Sequence, residues 1–194
     1  MLFRSTGPNA NITTGGTSGN YVSGGNVLLA ANLNVGTTAK PVFTAAANLA
    51  VNASAGNVYV QERDDVALRD LKDDRATLVT NNAGGAYFNV SVGNGSTQGN
   101  LIVGNTVATL STSANVTLVA NGSVELNAAV GNTSVTFTRV EATGPNANIT
   151  TGGVGNYVSG GNVLLSANLN VGTVGNVLNV AAANLAVNAG AGNV

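Results

Sequence analysis

The sequence predicts an all-β protein, a parallel β-helix (β-solenoid) of about nine short coils running as one continuous segment over residues 1–194. Three observations predict it: a long internal repeat, a recurring apolar-x-apolar triplet, and a scarcity of charged and aromatic residues that is unusual for a globular domain.

The repeat comes first. TGPNANITTGG occupies Thr6–Gly16 and returns at Thr143–Gly153. GNYVSGGNVLL at Gly19–Leu29 returns at Gly155–Leu165, ANLNVGT at Ala31–Thr37 returns at Ala167–Thr173, and AAANLAVNA at Ala45–Ala53 returns at Ala181–Ala189. One residue is lost on the way, where Thr17-Ser18 faces Val154. The long unit therefore covers roughly 6–142, with a partial second copy at 143–194, and AGNV at the end matches Ala55–Val58. Such self-similarity is the signature of a stacked repeat architecture, and the segment reads as part of a longer array.

A finer pattern lies inside the long one. Val27-Leu28-Leu29, Leu33-Asn34-Val35, Leu49-Ala50-Val51, Val58-Tyr59-Val60, Val66-Ala67-Leu68, Phe88-Asn89-Val90, Leu101-Ile102-Val103, Val116-Thr117-Leu118, Val124-Glu125-Leu126 and Val135-Thr136-Phe137 each place apolar residues at both ends. Alternation over so few residues predicts very short strands with one face buried. Many triplets follow Asn or Gly, as at Asn48, Asn57, Asn100, Asn115 and Asn162, where the chain can turn cheaply. A hairpin sandwich wants longer strands of about five or six residues with two-residue turns. The triplets and the repetition favour coils stacked one on another. At about 20 residues per coil and about 4.8 Å per layer, the segment would form a rod some 40–45 Å long. Asparagines at equivalent turns of such coils can hydrogen-bond to one another along the axis.

Composition then narrows the function. Charged residues make up 8% and aromatics 4%, while hydrophobic residues reach 44%, and there is no Cys, His or Trp. The chain is too apolar for disorder. A net charge of -1 without a basic stripe gives nucleic acid no electrostatic footing. Without cysteine there is no disulfide and no thiolate metal site. No run of about 18 apolar residues offers a membrane helix, so no membrane insertion is expected.

The lines ANVTLVANGSVELNAAVGNTSVTF (Ala114–Phe137), GGNVLLAANLNVG (Gly24–Gly36) and AAANLAVNASAGNVYV (Ala45–Val60) resemble the filamentous haemagglutinin family of bacterial surface exoproteins, secreted by the two-partner route, and its giant adhesin relatives. The resemblance implies a right-handed coil and a long extracellular rod on the bacterial cell surface, used for adhesion, aggregation or fibre formation. It places any secretion signal outside this segment. Strand edges without a polar cap predict self-association end to end or laterally into filaments, and the glycine-rich turns around Tyr21 and Tyr157 offer host or neighbouring-cell glycans as further partners. The family's amino-terminal secretion domain and its NPNG-type motifs are not found in these residues.

One stretch departs from the pattern. Gln61–Arg75, QERDDVALRDLKDDR, holds Glu62, Arg63, Asp64, Asp65, Arg69, Asp70, Lys72, Asp73, Asp74 and Arg75, ten of the 15 charged residues. Paired carboxylates for glycoside cleavage at Asp64, Asp65, Asp73 and Asp74, or an oxygen-ligand calcium site, are the chemical readings. The near balance of signs favours a solvated, mutually paired surface that resists lateral aggregation. Tyr21 and Tyr157 occupy matching places in the two copies, as candidate glycan-stacking positions or as packed aromatics. The glycine cluster Gly15–Asn26 is read as a wide turn, since it lacks the helix and Lys-Ser/Thr of a phosphate loop. The expectation is a structural or adhesive segment with no catalysis, no cofactor and no metal.

Overall fold

The computed structural model describes residues 1–14, 19–93, 96–109, 114–153 and 157–194. Among them there is no helix, and the strands are β1 (Leu2–Ser5), β2 (Val22–Ala31), β3 (Val42–Ala53), β4 (Val58–Glu62), β5 (Val66–Leu68), β6 (Leu71–Lys72), β7 (Leu78–Val79), β8 (Asn81–Ala83), β9 (Tyr87–Val92), β10 (Leu101–Val103), β11 (Val107–Thr109), β12 (Asn115–Ala120), β13 (Val124–Leu126), β14 (Val130–Gly131), β15 (Phe137–Ala142), β16 (Ile149–Thr150), β17 (Tyr157–Ala167) and β18 (Asn179–Ala189). Sixteen of these form a single curled sheet whose pairings are parallel, and β6 and β7 form a separate antiparallel hairpin.

Inward-facing residues alternate with outward ones and stack in register with the next strand of the ladder. Val60 lies on Val90, then Leu118, Val140, Leu165 and Val187. On another face Val27, Leu49, Leu68, Val103 and Leu126 stack in the same way. Between Val27 and Leu126, and from Val60 to Leu165, these positions are buried, so one continuous column of Val, Leu and Ala fills the inside. Each buried leucine contributes roughly 1.5–3 kcal/mol relative to an exposed one. The column is open at β18, where Leu185 is 53% exposed.

The longest strands do not stay on one side. β1, β2 and β3 form a wide ladder, with Leu2 on Leu28 and Leu28 on Ala50. The next layer divides that ladder among three strands. β3 pairs with β4 through Val42, Phe43 and Thr44, with β5 through Asn48 and Leu49, and with β8 through Asn52 and Ala53. The wide ladder resumes on another face as β4, β9, β12, β15, β17 and β18. The residues Asn48–Ala53 of β3 and their repeat Asn184–Ala189 in β18 thus stand on different faces, the first above β5 and β8 and the second on the ladder of β4, because the long unit ends out of step with the winding of the chain.

The corners are made by asparagine and glycine. The Asn11 side-chain oxygen accepts from both the backbone and side-chain amides of Asn34, and Asn34 in turn accepts from the Asn57 backbone. A second series runs Asp65, Asn100, Ser123, Asn148, Asn170, Asn193, each linked to the next by hydrogen bonds of 2.7–3.1 Å. At Gly56 and at its repeat Gly192 a Cβ would collide with the carbonyl oxygen of Leu33 and of Leu169, so the layers close up only over glycine.

Most of the triplets predicted as strands are strands. Leu33-Asn34-Val35 is not; only Val35 bridges, to Ile12 and Val58, and Val135-Thr136 precedes β15. The glycine cluster is corrected in part. Gly24 and Gly25 lie within β2, where Ser23 and Gly24 pair with Ala45 and Ala46, because parallel ladder bonds use backbone and need no side chain. Gly15–Ser18, along with Val154, lie outside the described residues.

Candidate functional site

The charged stretch is built around the place where the wide face divides. A dividing ladder leaves backbone donors without strand partners, and buried N–H groups must find another acceptor. Ala46 lies just past the last residue that pairs with β4 and before the first that pairs with β5. Its N–H donates to both carboxylate oxygens of Glu62, at 3.1 and 3.2 Å, and the Arg63 N–H adds a third bond at 3.0 Å. Val51 lies between the β5 and β8 pairings, and its N–H donates to the side-chain oxygen of Asn81 at 3.1 Å. Glu62 is 0% exposed and Asn81 1%. Two inward polar side chains thus replace strand partners that the dividing face lacks.

The expectation of a solvated face therefore fails for Glu62. It follows Val58 and Val60 on the inward side of β4 and stacks on Val92, since a period of two carries it inside. Burial pushes its carboxyl above the ordinary glutamate range, against the Thr44 hydroxyl and the N–H groups of Ala46 and Arg63.

Between β5 and β8 the chain leaves the stack as the hairpin β6–β7, which folds back over the outer side of the wide face. Leu71 and Val79 pack there on Leu2, Leu28, Ala30 and Ala50, leaving Leu28 only 5% and Ala50 0% exposed although both point outward. Asp73 organises the turn. Its carboxylate accepts from the backbone N–H of Arg75 at 2.9 Å and of Thr77 at 2.7 Å, and it pairs with Arg4 on β1. Its side chain has no exposure, so Asp73 too is corrected from surface to buried, drawn in by these donors. Burial opposes its charge, but the N–H groups of Thr77 and Arg75 and the Arg4 guanidinium override that and hold the carboxyl below the usual aspartate range. Ala76 takes a left-handed backbone with φ of 58° to close the turn.

The remaining charges are spread out. Arg63 pairs with Asp64 at 2.9 Å and lies 5.4 Å from the centre of the Tyr21 ring, which meets Phe43 edge-on. Asp65 heads the asparagine series through Asn100. Asp70 is half-buried, and burial raises its carboxyl above the usual range. Arg69, Lys72, Asp74 and Arg75 face solvent. The four aspartates of the chemical reading are divided between the turn before β5 and the tip of the hairpin, with Asp64 on Arg63, Asp65 on Asn100, Asp73 on Arg4 and the hairpin amides, and Asp74 in solvent, and among the described residues no group of three or more acidic side chains is placed to hold a metal ion. Tyr157 is 48% exposed and its register partner is Asn179, where Tyr21 has Phe43 nearby, so the two matching tyrosines stand in different surroundings.

No family model, no curated protein and no solved structure matches the chain. The residues themselves carry the account. Arg4, Asn81, Leu71 and Val79 were not singled out by sequence. Alternation along VYVQE would have placed Glu62 inside; nothing local marks Arg4 as the partner of a residue 69 positions away.

Proposed function

We propose that this chain is a structural and adhesive repeat segment of a long extracellular bacterial filamentous surface protein, built as a right-handed β-solenoid of about nine coils and carrying no catalysis. The observation that carries the reading is the parallel register of one column of inward side chains through β4, β9, β12, β15, β17 and β18, a geometry that extends by adding layers. Its neutral Asn, Thr and Ser surface and its repeated sequence support a rod whose length scales with the number of units. The handedness and the cell-surface setting rest on the family resemblance, and the number of coils on about 20 residues per coil.

The apolar end at β18, where Leu185, Val174 and Val177 are exposed, suits another layer of the same kind. A second copy of the chain stacking there would make the segment self-associate end to end, since an open β edge with an apolar interior is a template for pairing. Sedimentation velocity over a range of concentrations tests this. Growing rods, visible by electron microscopy at one width, are the expected result. A single monomeric species at the highest concentration, unchanged by Leu185→Lys, would overturn end-to-end association.

A further inference from the structure

The hairpin in the first unit sits on a face whose counterpart in the second unit is bare. Leu28 and Ala50, the floor of the covered seat, correspond to Leu164 and Ala186, which are stacked in the same parallel register on β17 and β18. Ala50 is 0% exposed beneath Val79, whereas Ala186 is exposed and Leu164 half-exposed. Asn52 recurs as Asn188, and Ala30 is replaced by the equally small Ser166.

The polar rim of the seat is changed. Leu2 and Arg4 of β1 correspond to Arg139 and Glu141 of β15, next to Leu164 and Ser166. Arg139 gives one guanidinium nitrogen to Glu141 at 2.6 Å, while its Nε, itself buried, has no hydrogen-bond partner. A buried donor of this kind needs an acceptor. The cation that meets Asp73 in the first seat is Arg4; in the second seat a cation stands two residues earlier on the same outward side, with one donor free.

We propose that the outer face of β15, β17 and β18 is a docking seat for a second copy of the hairpin Arg69–Thr80, with Leu164 and Ala186 receiving the Leu71 and Val79 side chains and Arg139 Nε donating to the carboxylate that corresponds to Asp73. This rests on the reading of the chain as a stack that lengthens by repeating its unit. The occupant is specified by the molecule itself, because the same two rows of the repeat already hold that hairpin on the first unit. Since Ala50 lies above β5 and β8 and Ala186 on the ladder of β4, successive hairpins would dock on different sides of the rod. The charge of the chain, otherwise so sparse, would then be displayed at fixed intervals on alternating faces.

Because the chain has no cysteine, single thiols report the seats directly. Maleimide labelling of the folded 194-residue chain should be at least about tenfold slower for Ala50→Cys than for Ala186→Cys, as local opening must precede reaction at the covered site. The same chain continued past Val194 by a second copy of Tyr59–Gly93 should protect Ala186→Cys to the level of Ala50→Cys. Replacing the Leu and Val of the second hairpin that correspond to Leu71 and Val79 by Ser should restore fast labelling. If the added residues raise the β content by circular dichroism but Ala186→Cys still labels fast, the seat is wrong. If they add no β structure, the stacking reading fails instead. Fast labelling of Ala50→Cys in the folded parent chain would overturn the covered seat itself.

Discussion

The layers from β9 to β17 and the layer that joins β3 to β4, β5 and β8 are made from the same short strands, yet they are held together differently. In the first region most register partners are apolar on the inside, as in Val90, Leu118, Val140 and Leu165, the buried Thr138 hydroxyl donates to the Ser159 carbonyl, and asparagines bond along the corners. In the second, the wide face divides, and the interior takes in Glu62 and Asn81 to satisfy the amides of Ala46 and Val51. The difference teaches that charge in this chain is concentrated where the regular stack is interrupted. A hairpin is extruded at the division, and its acidic turn is tied to the older face through Arg4.

The regular region should be the more sensitive to lost volume. Leu118→Ala empties a site with 0% exposure between Val90 and Val140 and should cost about 2–5 kcal/mol, read as a lower urea midpoint at unchanged slope. A loss below about 1 kcal/mol would mean that the column is loosely packed.

At the division, polarity rather than volume should matter. Glu62→Ala and Asn81→Ala each leave a buried N–H unmet and should cost about 1–3 kcal/mol by the same measurement. Glu62→Gln sharpens the comparison. The folded Glu62 carboxyl has a raised pKa, so the native state holds its proton more tightly than the unfolded chain. Its contribution is therefore greatest below the ordinary glutamate pKa of about 4.3 and declines as pH rises from there. Gln in this place should remove that decline and stabilise the chain at pH 7 relative to its effect at pH 4. An identical pH profile in the variant would show that Glu62 does not carry it.

Asp73 should act with the opposite sign. Its folded pKa is lowered, so its contribution is full above the ordinary aspartate pKa of about 3.9 and is lost as pH falls through the folded value. Amide hydrogen exchange at Thr77 and Val79, corrected for intrinsic rates, should report acid release of the hairpin before the β9–β17 layers open. Asp73→Asn should release it at neutral pH.

These contrasts mark what the sequence carried. The triplets Phe88-Asn89-Val90 and Val116-Thr117-Leu118 announce strands because alternation is local, and Asn57 and Asn100 announce corners because turn chemistry is local too, whereas Asn48 and Asn162, read the same way, lie within β3 and β17. The hairpin was hidden because Leu71-Lys72 and Leu78-Val79 are two residues long and embedded in charge, and their apolar partners Leu28 and Ala50 lie in sequence far behind them. The division of the wide face was illegible for a stronger reason. Identical sequence in β3 and β18 sits on different faces, so only the pairing, not the residues, sets the face.

The smallest effect concerns the hairpin turn. Ala76→Gly relieves a left-handed alanine but frees the unfolded chain, for a net gain of at most about 1 kcal/mol in the stability of the hairpin by exchange at Thr77. A loss would show that the Ala76 methyl makes a contact that offsets its backbone.

The central claim is that distant strands stack in parallel register, and interstrand amide and Hα contacts by NMR test it most directly. The account predicts cross-peaks linking Phe88, Val116 and Thr138 in sequence along one ladder, and linking β3 to both β5 and β8. Antiparallel Hα–Hα contacts between strands adjacent in sequence, such as β9 with β10 or β12 with β13, would contradict it and replace the stack by a hairpin sandwich.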